Sequence, residues 1–188
     1  MIKRLLTLVT LTLALQSCVF VVGAAAGAAA ITVVYDHRTI ANALQDTKIA
    51  NRISDKIKAN PAFADSHIEV VVFNRMVLLI GQASNSELRQ KADDLARSVP
   101  DAARVYNQIT IQGPTSSLTR TSDTWITTKI KTLMLATEDL KSSTIKVVTE
   151  NGVVYLMGIV NRQQADIAVD IARKVSGVQK VVKIFQYD

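Results

Sequence analysis

The sequence predicts an α+β protein made of two tandem copies of one small module, and three observations carry that prediction. Ile68, Val70, Asn74, Val77, Leu79 and Gly81 return as Ile145, Val147, Asn151, Val154, Leu156 and Gly158, each 77 positions later. After one deletion the spacing is 76, and Ala92, Leu95, Ala96, Arg97 and Val99 return as Ala168, Ile171, Ala172, Arg173 and Val175. Within each copy the apolar period changes from helical to alternating and back, in the order helix, strand, strand, helix, strand. Finally, Asn151-Gly152 between two β-rich runs marks a two-residue hairpin, because both residues accept positive φ.

Taken in order, the first helix covers roughly residues 47–59 and stops at Pro61, which cannot continue it. Phe63 and Leu140 hold equivalent places and close the bottom of each core. Ile68, Val70 and Val72 alternate as a half-buried strand, with Val77 and Leu79 on its partner. The first copy has Asn74-Arg75 where the second has Asn151-Gly152. Either Arg75 holds left-handed geometry at a cost of about 1–2 kcal/mol, or the loop differs. Gly81 and Gly158 end the second strands as structural glycines, permitting a bend or a close backbone approach.

Ser84-Asn85-Ser86-Glu87 has the form of a capping box, and so has Asn161-Arg162-Gln163-Gln164. Leu88, Ala92, Leu95 and Val99 then line the inner face of the second helix, and Gly177 suits a left-handed stop in the second copy. Val105–Ile111 and Val181–Tyr187 supply the third strands. The Gly/Pro/Ser/Thr-rich stretch Gln112–Ser122 reads as a linker, which sets modules at 46–112 and 123–188 with a linker at 113–122. Each core is marginal unless the two modules pack together.

At the N-terminus, Met1-Ile2-Lys3-Arg4 is a positive n-region and Leu5–Leu15 an apolar h-region. Leu15-Gln16-Ser17-Cys18 resembles the bacterial lipobox, with Gln16 in place of the preferred small residue. The expectation is a signal peptide at 1–17, a lipidated Cys18 and a linker at 18–45. Two or more acyl chains on that residue suffice for stable anchoring. Val19, rather than aspartate, implies the outer membrane by similarity to enterobacterial lipoprotein sorting. The competing reading is an uncleaved anchor over Leu5–Val34, with Gly23 and Gly27 among its alanines.

Composition narrows the function classes. Lys and Arg number 22 against 16 Asp and Glu; without Lys3 and Arg4, 20 basic against 16 acidic groups leave +4. That excess suits anionic lipid, whereas the 5% aromatic content and the lack of a long basic run argue against nucleic acid. Cys18 is the one cysteine, and His37 and His67 have no partners at metal-ligand spacing. No serine–histidine–acid set or glycine-rich phosphate loop is present, so neither an enzyme, a metal nor a cofactor is expected.

The candidate site is the helix over Asp123–Met134. Ile126, Ile130 and Leu133 define its expected buried face, and Trp125, the single tryptophan, lies about 100° from the centre of that stripe. The outward arc runs from Lys131 through Leu135, Thr128, Thr132 and Trp125 to Lys129. An amphipathic ring beside cationic side chains suits a lipid headgroup boundary. The alternative is a boundary residue lying under a loop or the other module. In the earlier copy Lys48 stands in the place of Trp125, which argues for exposure and leaves a membrane or a protein partner as its environment.

Several segments together carry a family resemblance: Leu15-Gln16-Ser17-Cys18, Asp36-His37-Arg38-Thr39, Val105-Tyr106-Asn107, Asp123–Lys129 and Lys141-Ser142-Ser143. Thr149-Glu150-Asn151-Gly152, Leu156-Met157-Gly158 and Val175-Ser176-Gly177-Val178 extend it over almost the whole chain. The chain resembles the dual BON-domain (bacterial OsmY and nodulation) outer-membrane lipoproteins. The resemblance implies tandem αββαβ modules, each a three-stranded mixed sheet packed on two helices. It implies a periplasm-facing lipoprotein whose second module binds anionic phospholipid, such as phosphatidylglycerol or cardiolipin, through its first helix. Enrichment at the division site and support of envelope integrity are implied with it. The role falls on Trp125 and the surrounding helix, with Lys129 and Lys131; Leu135 is assigned from the wheel alone. The runner-up is an adaptor using the same helix to dock an envelope-assembly factor or a cell-wall hydrolase regulator.

Overall fold

The computed structural model describes residues 37–113 and 115–188, so Cys18, the signal-peptide segment and the Ala/Gly segment lie outside the described residues. Ile49, Ile53 and Ile57 recur at helical spacing and are buried on the inner face of α1 (His37–Lys58). This helix starts well before the expected residue 47. Residues 41–44 are exposed, so no apolar stripe announces its first turns. A 3-10 turn, Pro61–Phe63, follows, capped by the Asn60 side chain.

β1 (His67–Phe73) and β2 (Met76–Ala83) form an antiparallel hairpin. Its turn residues Asn74 and Arg75 have φ of 47° and 62°, matching Asn151 and Gly152 at 49° and 72°. Arg75 therefore does hold the left-handed geometry. α2 (Ser86–Arg97) is capped by Asn85, whose side chain accepts from Leu88 N at 2.9 Å. The cap thus sits one residue later than the Ser84 box, in register with Asn161 of the second copy.

The expected third strand Val105–Ile111 is broken into β3 (Arg104–Asn107) and β4 (Thr110–Ile111), both parallel to β2. At the break Ile109 is buried in the core and Asn107 Oδ1 accepts from its N–H. A strand period does not reveal such an inward turn.

The second module repeats the order with α3 (Ser117–Leu135), β5 (Ile145–Glu150), β6 (Val153–Val160), α4 (Arg162–Arg173) and β7 (Lys180–Tyr187). α3 begins inside the stretch read as linker, where Ser116 caps it by accepting from Thr119 N at 3.2 Å. Serines and threonines there are cap and first-turn residues, indistinguishable from a linker by composition alone. In each sheet an antiparallel hairpin precedes a parallel third strand, which puts β2 and β6 in the centre. The expected mixed three-stranded order holds in both copies.

Both modules lie in one unit, Gln45–Asp188, and share a core. The helix-facing sides bury Ile53, Leu79 and Ala92 in one copy and Ile130, Leu156 and Ala168 in the other. Phe63 and Leu140 close these two cores as expected. The opposite sheet faces meet, packing Val71, Met76, Leu78 and Ile80 against Tyr155, Met157 and Ile184. β2 is consequently buried along its whole length, which explains its continuous apolar run.

The seam between the sheets is bordered by polar links. Gln82 Nε2 donates to the Glu150 carboxylate, Asn74 Nδ2 donates to Gln186 Oε1 at 2.9 Å, and Lys146 Nζ donates to Val72 O at 3.2 Å. Glu69 keeps an exposed edge, yet loss of water and the Glu150 charge hold its carboxyl above the usual 4.5. The folded state thus binds the Glu69 proton more tightly than the unfolded chain does. Stability from this group falls as pH rises above 4.5 and is lost above the folded value. Glu69→Gln is expected to raise the urea midpoint at pH 7 and to flatten its fall above pH 4.5. An unchanged pH profile would show that this carboxylate carries no charge penalty at the seam.

Candidate functional site: the outer face of α3

Two fixed points hold α3 on its sheet. The buried Asp123 carboxylate accepts from Asn151 N at 2.7 Å and Gly152 N at 2.9 Å. Thr127 Oγ1 donates to Thr149 Oγ1 at 2.8 Å, fastening the helix to β5. The first module repeats the carboxylate clasp, with Asp46 accepting from Asn74 N at 2.7 Å and Arg75 N at 2.8 Å. Sequence reasoning missed both aspartates, although their spacing of 77 residues placed them in the repeat.

The buried stripe of α3 is Asp123, Ile126, Ile130 and Met134. Leu133, expected in the core, is instead 36% exposed, because Met134 fills that end of the core. With the stripe re-centred near Ile130, Trp125 lies roughly 140° from its centre, further outward than the expected 100°. The indole is 54% exposed, so it is not a boundary residue sealed beneath the other module. Leu118 and Leu135 are 79% and 75% exposed. Thr128, Lys129, Lys131 and Thr132 are exposed too, so the fold brings all six candidate residues onto one outward surface.

Threonine hydroxyls on this surface are internally paired. Thr132 donates to Thr128 O, Thr128 to Thr124 O and Thr124 to Arg120 O, each at 2.9 Å. Such back-bonding to the preceding turn satisfies the hydroxyl within the helix. Moving this surface out of water therefore strands no threonine O–H, which lowers the desolvation cost. At one flank Lys131 acts on Lys146, whose ammonium pKa is lowered mainly by loss of water and further by Lys131.

The structural glycines sit at close approaches. A Cβ on Gly81 would run into His67 O, and one on Gly158 would lie 2.6 Å from Thr144 O. Among the described residues, no group of three His, Cys, Asp or Glu could hold a metal ion, and no helix is long and apolar enough to cross a membrane.

Comparison with known proteins gives the lineage. The BON domain matches residues 45–113 and 122–188. The chain is 36% identical over 187 residues to the outer membrane lipoprotein DolP of Haemophilus influenzae, covering 99% of this chain and 96% of that one. It is 35% identical over 153 residues to the 21 kDa hemolysin of Actinobacillus pleuropneumoniae, covering 81% and 79% of the two chains. The osmotically-inducible protein Y of Escherichia coli is 27% identical over 145 residues, covering 76% and 72%. The chain belongs to the BON-domain family, as a tandem, outer-membrane-associated lipoprotein of the DolP type.

Proposed function

We propose that this protein is a non-enzymatic, periplasm-facing lipoprotein whose α3 docks on anionic phospholipid of the membrane that anchors it. The observation carrying this reading is the outward Trp125, set among threonines with paired hydroxyls and between Lys129 and Lys131. A ring of this kind partitions to the headgroup level. Each lysine contributes about 1 kcal/mol near an anionic surface, so neither decides the binding alone. Acyl chains on Cys18 hold the helix at high local concentration, and a weak headgroup preference then suffices to set where the protein resides. Phosphatidylglycerol and cardiolipin are the lipids of choice, and enrichment at the division site with support of envelope integrity is the physiological counterpart.

Protein-free vesicles test the reading. Soluble protein beginning near residue 36 is expected to bind vesicles containing phosphatidylglycerol, with a blue shift of Trp125 emission that salt reverses. Binding to phosphatidylcholine vesicles alone is expected to be weak. No binding to any vesicle, with capture by an envelope protein through the same helix, would replace the lipid reading with the adaptor.

A further inference from the structure

Beside the outer face of α3 lies an open hollow of about 340 Å³, between the helix, the β5–β6 turn and the loop after α4. Two glycines are among its lining residues. Gly152 and Gly177 both have positive φ, and neither carries a side chain into the space. The first module has arginine and aspartate at these places. Arg75 Nε donates to Asp101 O at 2.9 Å, and its guanidinium pairs with the Asp101 carboxylate at 3.5 Å. Ala103 N donates to Arg75 O at 2.9 Å, as Gln179 N donates to Gly152 O at 2.9 Å, which fixes the correspondence. One fold therefore has a side-chain clamp in the copy without the tryptophan and a hollow in the copy that has it.

The hollow adjoins the lipid-facing strip. Leu118, on its lip, lies two helical turns before Trp125 on the same side of α3. Besides Asp123, its polar lining comes from Thr119, Ser122, Asn151 and Gln179, residues whose side chains can both donate and accept. No lysine or arginine lines it, and the Asp123 carboxylate borders it. A phosphate is disfavoured there, whereas a neutral polyol can both donate to and accept from such a lining. We infer that the hollow receives the uncharged glycerol end of a phospholipid headgroup while the phosphate stays outside, nearer the lysines. The inference rests on α3 being the lipid-docking face and adds what that face selects.

The test uses the full chain in lipid nanodiscs carrying equal fractions of phosphatidylglycerol or phosphatidylserine. Trp125 is the single tryptophan, so its emission reports docking, while the amide signals of Gly152 and Gly177 report the hollow. Docking is expected on both discs, persisting to higher salt on phosphatidylglycerol, with the glycine signals moving about threefold more there. The exchange Gly152→Arg with Gly177→Asp and Gln179→Ala installs the first module's residues. Removal of the Gln179 amide also clears the contact that a Cβ at position 152 would make at 2.9 Å. The exchanged chain is expected to dock equally on both discs, returning to water-like emission at the same salt concentration. Should it fail to fold, Gln179→Ala alone is expected to reduce the difference between discs about twofold.

Equal glycine shifts in the wild type, or a retained preference in the exchanged chain, would overturn the inference and leave lipid docking standing. Glycine shifts of the same size from glycerol 3-phosphate over neutral discs would overturn the lipid source. Emission unchanged on both discs would remove the docking reading and this inference with it.

Discussion

Trp125→Glu is expected to weaken binding to anionic vesicles by about 300-fold while leaving the unfolding free energy within about 0.5 kcal/mol of wild type. Roughly half the indole faces outward. An aromatic side chain of this kind offers about 100 Å² of apolar surface to lipid, worth about 2.5 kcal/mol at 25 cal/mol per Å². Glutamate forfeits that contact and adds about 1 kcal/mol of repulsion from an anionic surface. Together these come to about 3.5 kcal/mol, or about two and a half decades of affinity. Stability is spared because Ile126, Ile130 and Met134, not Trp125, fill the core under α3. Trp125→Phe keeps the apolar contact and is expected to lose less than tenfold, on the order of 1 kcal/mol. Vesicle titration and urea unfolding of the same samples decide the matter. Wild-type binding by the glutamate variant would remove the indole from the interface.

What the sequence disclosed about this site follows from which signals repeat. The strands and the second helices carry their apolar residues at a constant offset, so Ile68 to Gly81 and Ile145 to Gly158 could be aligned by eye. Exposure of Trp125 was legible too, because Lys48 in the other copy could not sit in a core. The register of the buried stripe was not. Leu133 and Met134 are adjacent apolar residues, and only packing against the sheet decides that Met134 enters. Asp123 only opens the candidate helix in the sequence, with no role attached to its carboxylate. Its work is to bind the N–H groups of a turn 28 residues downstream, a contact that no local pattern encodes. The early starts of α1 and α3 escaped for a related reason: residues 41–44 of α1 and most of the first turn of α3 are exposed, and helical period is visible only where one face is buried.

The two structural glycines, equivalent in the repeat, are expected to differ sharply when replaced by alanine. Gly81 has φ of 108°, a left-handed-side conformation that a Cβ strains, and Gly158 does not share it. The Cβ of Gly81→Ala would also collide with His67 O, a backbone atom that no rotamer change can move aside. Relief requires β1 to lift away from β2 at the pair Ile68 and Gly81. That pair lies beside Ile80, one of the residues that fill the seam between the two sheets. The strain of the left-handed residue, about 1–2 kcal/mol, thus adds to lost pairing and lost packing. The sum is expected to exceed about 4 kcal/mol, a large part of a small domain's stability. Gly158→Ala meets Thr144 O at 2.6 Å without the dihedral strain, and about 1–3 kcal/mol is expected. Urea unfolding followed by circular dichroism measures both variants, and Trp125 emission reports whether the second module keeps its fold when the first is lost. Equal losses in the two variants would mean that the sheet absorbs a Cβ at Gly81 by a shift as small as the one Gly158 needs.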